Sequence, residues 1–309
     1  MLVAALGVLL GAASASGASG PVATFGPEHG TGWAEQATAI PDELDVVLDS
    51  TQHWVGVNDV LFSVLDADGV RLADDGLPLL VELVGPSGQS VRAEPAIERF
   101  ASYARRLYRA RVPLDEVGRW QVRVVTNEDR QARVGRTVLD VSPDDGTPAL
   151  GSSAPGGSTP TMRDARNMLH RISSDPEPLT AFYTWSLDEA LREGQPTVFV
   201  LDSYAFRPNA ACGGALGMLH DIFIDFPGLV VVHAEPWQMA PDEDGMLGLD
   251  PPDGPAVLTD VARAWGVLEP PWVFVIDRDG RLQAKFSGVV GSDELRAAIT
   301  SVTPWRPAA

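Results

Sequence analysis

Cys212 is the only cysteine of the 309 residues, and its surroundings are the part of the sequence equipped for chemistry. It follows an apolar run, Thr197-Val198-Phe199-Val200-Leu201, that reads as a short buried strand. It precedes a helical pattern that places Leu216, Leu219, Ile222 and Phe223 on one face. At such a junction the unbonded N–H groups of the helix start and the helix dipole favour a thiolate. Gly213 and Gly214 leave the approach to the sulfur uncluttered. Further along, Pro271 stands directly before a second apolar run, Trp272-Val273-Phe274-Val275-Ile276. A proline at a strand start leaves a backbone edge on which an extended peptide can pair. The expected site is therefore Cys212 as nucleophile, with Gly213, Gly214 and Pro271 contacting the substrate.

Thiol–disulfide exchange needs a second thiol to release a mixed disulfide, and Ala215 stands where the resolving cysteine of a Cys-x-x-Cys would be. No metal and no cofactor are expected. His220 lies eight residues from Cys212 on the same helix, about 12 Å along its axis, and His233 ends a strand, where a structural role is expected. The acidic stretch Asp242-Glu243-Asp244-Gly245, with Asp250 and Asp253, lacks the alternating ligands and closing Glu of a calcium loop. Asp66-Ala67-Asp68-Gly69 and Asp277-Arg278-Asp279-Gly280 read as hairpin turns. The net charge of −19 is spread over both halves of the chain, which removes a nucleic-acid partner from consideration. Arg99, Arg105, Arg106, Arg109 and Arg111 form the one basic run, expected as an exposed strand face.

The elements that must position Cys212 divide into four parts. Residues 1–20 are apolar and small, with Ala13-Ser14-Ala15 as a cleavage site, and read as a signal peptide that places the protein outside the cytoplasm. Membrane association is expected only if the true N-terminus is longer. Residues 42–141 show several short period-two runs, the clearest being Gly118-Arg119-Trp120-Gln121-Val122-Arg123-Val124, and predict a β-sandwich. Residues 142–162, rich in Pro, Gly and Ser, predict a flexible linker. Over 163–309 the expected order is helix, strand, helix, strand, helix, strand, hairpin, strand, helix, with a first helix at 163–172 and a capping box at Ser186-Leu187-Asp188-Glu189.

Two resemblances add to this reading. Through Val55-Gly56-Val57-Asn58 and the late Gly118-x-Trp120-x-Val122 strand, residues 42–141 resemble the immunoglobulin-like domains of bacterial exported proteins. The C-terminal half resembles exported, actinobacterial-type thioredoxin-domain proteins. The matching residues are Asp175-Pro176-Glu177-Pro178, Gly194-Gln195-Pro196, Cys212-Gly213, Glu235, Trp265-Gly266 and Glu269-Pro270-Pro271-Trp272-Val273-Phe274. This resemblance implies an α/β thioredoxin-like fold, a central mixed sheet flanked by helices, following an all-β domain. It also implies thiol–disulfide chemistry with a single cysteine, on a protein or small-thiol partner held in the Cys212/Pro271 groove. The alternative is a redox-inactive binding module that uses the same groove.

Overall fold

The computed structural model describes residues 42–50, 52–72, 79–100, 105–128, 131–206, 212–241, 247–251 and 254–303. The expected signal peptide, the acidic run 242–246 and Asp253 lie outside the described residues. No helix among the described residues is long and apolar enough to cross a membrane.

The N-terminal strands are β1 (Asp42–Leu48), β2 (His53–Trp54), β3 (Gly56–Leu65), β4 (Leu79–Val84), β5 (Ser90–Ala93), β6 (Ala96–Phe100), β7 (Arg105–Leu114), β8 (Gly118–Glu128) and β9 (Gln131–Ser142). They form one nine-stranded sheet in the order β5-β4-β8-β9-β1-β3-β7-β6, with β2 pairing β9 off this path. The alternation seen in the sequence sets their faces. Trp120, Val122 and Val124 of β8 point into a core shared with Phe62 and Val64 of β3, Val81 and Leu83 of β4, and Tyr108, Ala110 and Val112 of β7. Strands from opposite ends of the path thus meet across one core, so the sheet is curled.

The expected two-sheet sandwich is corrected by β1. This strand pairs antiparallel with β3 through Asp45↔Leu65 to Leu48↔Phe62, and parallel with β9 through Asp42↔Val134 and Leu44↔Gly135. It therefore joins what would otherwise be two separate sheets. Glycine at 135 allows the seam, because a Cβ there would sit 2.6 Å from Val46 Cγ2 and 2.8 Å from the Leu44 carbonyl oxygen. The Val55-Gly56-Val57-Asn58 run locks the entry to β3. The Asn58 amide donates to the Trp54 and Gly56 carbonyls at 2.7 and 2.9 Å and accepts from Trp54 N at 3.1 Å.

The C-terminal half builds a four-stranded sheet in the order β11-β10-β14-β15. Its strands are β10 (Thr197–Leu201), β11 (Val230–Ala234), β14 (Trp272–Ile276) and β15 (Leu282–Ser287), with a small hairpin, β12 (Met239–Pro241) and β13 (Leu247–Leu249), beside it. Strand β10 runs parallel to β11 and antiparallel to β14. The α-helices among the described residues are α1 (Leu187–Arg192), α2 (Gly214–Ile222), α3 (Asp260–Ala264) and α4 (Ser292–Val302).

The expected α/β thioredoxin-like class is corrected by this inventory. The chain is mostly β, with fifteen described strands against four short α-helices. The helix expected over 163–172 does not form. Arg166 and Asn167 adopt left-handed backbone (φ 51° and 63°), which an α-helix of L-residues does not tolerate, and only the single 3-10 turn Leu169–Arg171 remains. The Ser186–Glu189 capping box is present, yet it opens only six residues of helix before Gly194 turns the chain. Helix α3, capped by the Thr259 side chain, is five residues long.

The expected flexible linker is corrected as well. Residues 142–162 lie against the C-terminal half as a bonded strap. Gly151 N donates to Leu282 O at 2.7 Å, Leu282 N to Ser152 O at 3.0 Å, and Ala154 N to Gly280 O at 2.8 Å. The buried Trp265 indole donates to Gly156 O at 2.8 Å, and Lys285 Nζ reaches Asp145 Oδ2 at 2.6 Å. A Gly/Pro/Ser-rich segment has few side chains to bury, but its backbone groups can be satisfied by another backbone at close range.

The two sheets also touch. Trp54 stacks on Trp272 with ring centroids 6.2 Å apart, and the Trp272 indole donates to Gln52 Oε1 at 3.2 Å. Arg109, in the basic run, bonds Asp59 of β3 at 2.8 Å and Glu294 of α4 at 2.9 Å. Burial alone would lower the Arg109 pKa, but the bonds and charges of Asp59 and Glu294 outweigh it and raise it above the ordinary guanidinium value. This part of the expected exposed arginine face is a half-buried clasp.

Candidate functional site

Strand β10 is buried along its whole length and ends directly in Asp202-Ser203. Helix α2 begins at Gly214, after Cys212 and a left-handed Gly213 (φ 83°). The structure brings Cys212 to the Pro270–Pro271 peptide, which is cis. The Cys212 thiol is 4 % exposed and donates to the Pro270 carbonyl at 3.7 Å.

Of the N–H groups expected to face the sulfur, that of Gly213 is directed elsewhere. Asp202 Oδ1 accepts from Gly213 N and from Ser203 N, each at 2.8 Å. The Leu216 N–H lies close enough to favour the charged form of this carboxyl. Asp202 thus caps α2 from the end of a neighbouring strand, and the positive end of the helix acts on its carboxyl. Burial pushes the Asp202 pKa up to about 7, against the pull of those three N–H donors, and the nearby Glu235 adds to the rise.

The peptide-pairing edge expected at Pro271 is also altered. Pro270 has no N–H to offer a peptide. Its carbonyl faces Cys212, and the Pro271 carbonyl accepts from Gly288 N at 2.9 Å. Ala215, at the position of a resolving cysteine, is fully buried in the core under the sheet. At this site, then, the thiol is covered, the helix start serves a carboxyl, and the sequence holds no second thiol.

The two histidines weighed as metal ligands belong to other partners. His220 Nε2 lies 3.1 Å from Asp175 Oδ2, and the ring meets Phe182 edge-on at 5.3 Å. His233 is buried, with Nε2 3.0 Å from the Asp202 carbonyl and Nδ1 2.7 Å from the Tyr183 hydroxyl. A carbonyl only accepts, so Nε2 carries a hydrogen, while the Tyr183 hydroxyl donates to Ser173 Oγ at 2.7 Å. Burial raises the Tyr183 pKa far above that of an ordinary phenol, which keeps its hydroxyl protonated. Among the described residues no group of three His, Cys, Asp or Glu side chains could hold a metal ion.

The sequence reading passed over most of this buried polar layer. Glu235 Oε1 accepts from both the backbone N and the hydroxyl of Ser174 at 2.7 Å. The Ser174 hydroxyl in turn accepts from Tyr204 N at 2.9 Å and Ala205 N at 3.0 Å, fixing the loop after β10. The available signal was two apolar strands that each run straight into a carboxylate, Leu201-Asp202 and His233-Ala234-Glu235. Charged groups immediately after a buried strand are near-buried themselves and must be bonded.

No family model and no curated protein matches the chain. Solved structures that align with part of it include two of low identity. One is a DUF4785 family protein from Legionella pneumophila, 17 % identical, with a TM-score of 0.22, over 32 % of this chain. The alignment spans only 28 % of that protein's length. The other is the Lin-41 filamin domain, 14 % identical, with a TM-score of 0.23, over 34 % of this chain and 97 % of that domain. At such scores neither likeness carries a functional argument, and neither supports the export or thioredoxin-fold expectations.

Proposed function

We propose that the C-terminal half is a redox-inactive binding module in which Cys212 is a structural thiol. The observation that carries this reading is the burial of Cys212 against the Pro270 carbonyl. A thiol attacks only as its thiolate and only where a disulfide can reach it. Here the covering chain limits access, and a carbonyl oxygen beside the sulfur disfavours the negative charge of a thiolate. A protein partner at Cys212, Gly213 and Pro271 would bind through side-chain contacts. Backbone pairing there is hindered by the missing Pro270 N–H and the engaged Pro271 carbonyl.

Turnover tests the reading. The full chain is expected to give no insulin reduction above the uncatalysed background with dithiothreitol or glutathione as reductant. Cys212→Ser, which keeps a donor toward Pro270 O, should fold and behave identically. Reduction that depends on Cys212 would overturn the proposal in favour of single-thiol exchange.

A further inference from the structure

A second region, on the outer side of β11, has the features of a ligand site. A pocket of about 500 Å³ lies between the end of β11, the β12–β13 hairpin, the start of α3 and the segment 158–172. Ile172, Ala234, Met239, Leu247 and Val261 supply apolar wall, and Glu235, Trp237, Asp250, Asp260 and Arg171 supply polar groups. This volume suits a small molecule or one long side chain.

Two buried polar atoms on these wall residues have no partner among the described residues. They are Oε2 of Glu235 and Nε1 of Trp237, on residues each 8 % exposed. Nearly all buried polar groups in folded proteins are bonded, so two such atoms on residues that line one cavity call for a partner. They are also held in place. Ser174 fixes Glu235 through its other oxygen with two bonds of 2.7 Å. Trp237 bridges backbone with Leu258, and its ring meets Phe206 at 5.5 Å in a perpendicular contact. Groups fixed before the ligand arrives lose little entropy when it binds.

The charge of the wall selects the ligand. Asp260 is paired with Arg263 and points to solvent, which leaves two carboxylates, Glu235 and the exposed Asp250, against the exposed guanidinium of Arg171. We propose that this pocket binds a primary ammonium or guanidinium group. The cation donates to Glu235 Oε2, and an adjoining carbonyl or water accepts from Trp237 Nε1. A free amine and the side chain of a peptide present the same chemistry. The inference is independent of the reading of Cys212 and stands if that thiol proves reactive.

Calorimetric titration of the full chain with agmatine, spermidine, lysine amide and a Gly-Lys-Gly peptide tests it, with glutamate and acetate as anionic controls. The cations are expected to bind and the anions not to bind. Peptide binding tighter than lysine amide would assign the source as a peptide, and the reverse would assign a free amine. Glu235→Gln keeps the acceptor for Ser174 and is expected to weaken binding about 10- to 100-fold. The exposed Asp250→Asn gives a milder loss in a protein whose fold is undisturbed. Asp140→Asn, on the distant β9, should bind as the parent does. Failure of every cation to bind, preference for the anions, or affinities unchanged in both Glu235→Gln and Asp250→Asn would each overturn the proposal.

Discussion

Gly266→Ala is expected to unseat the strap that crosses the C-terminal half. Gly266 has φ 68°, and a Cβ there would lie 1.8 Å from the Gly146 carbonyl oxygen and 2.7 Å from its carbonyl carbon. Both atoms are backbone, so no side chain can swing aside. The variant must take on left-handed strain and also push residue 146 away. That displaces Asp145 from Lys285 and strains the neighbouring Trp265–Gly156 bond. The combined loss is about 3–5 kcal/mol, in the range reserved for backbone conflicts and broken buried networks. A drop in the urea midpoint should accompany proteolytic cutting between residues 144 and 157. Gly280→Ala is the matched control: its φ is 71°, but nothing lies within 4 Å of its Cβ. Only the conformational cost of about 1 kcal/mol applies there. Equal losses in the two variants would mean that the close approach of Gly146 does not hold the strap.

Asp202→Asn is expected to stabilise the protein above neutral pH and to leave it unchanged in acid. The unfolded carboxyl ionises near 3.8, whereas burial holds the folded one protonated to about 7. The stability supplied by neutral Asp202 is fully present below pH 3.8 and is lost as pH rises to about 7. A rise of this size amounts to about 4 kcal/mol. An asparagine at 202 keeps an oxygen for Gly213 N and Ser203 N and carries no charge to bury. The difference in urea midpoint between variant and parent should therefore grow from pH 4 to pH 7 and then level off. The comparison must be made as a difference, because His53 slopes the other way. Burial lowers its pKa to about 4, so its contribution is present above 6.5 and is lost as pH falls toward 4. A flat difference would show that Asp202 is ionised in the folded protein.

What the sequence disclosed was local, and what it concealed was long-range. The alternation in β8, the capping box at Ser186 and the turn at Asp277–Gly280 depend on neighbours within a few residues. The structure bears out each of these, Asp277 Oδ1 accepting from Asp279 N and Arg281 N at 2.9 Å. The meeting of Cys212 with the Pro270–Pro271 peptide was legible from a known arrangement of motifs. The α/β class was not, because apolar spacing marks where a helix can start and says little about how soon it ends. Arg166 and Asn167 give no warning of left-handed backbone. The strap read as a linker because composition records what side chains bury, and residues 142–162 are held by backbone groups from residues 280 and 282. The curled sheet depends on β1 pairing in parallel with β9, a contact across about ninety residues that no local pattern encodes. Nothing in the residues beside Asp202 marks it as a helix cap. Its role as the cap of α2 follows from the geometry of two elements separated by a loop.

The rate of Cys212 alkylation tests the structural-thiol account most directly. Iodoacetamide labelling is measured by mass at pH 7 on the folded chain and again in urea. A thiol buried against Pro270 O reacts only when its cover opens locally. The account predicts folded labelling at least ~100-fold slower than unfolded labelling, which corresponds to an opening cost of about 3 kcal/mol. Labelling of the folded protein as fast as, or faster than, the unfolded chain would mean an accessible, activated thiolate and would contradict the account.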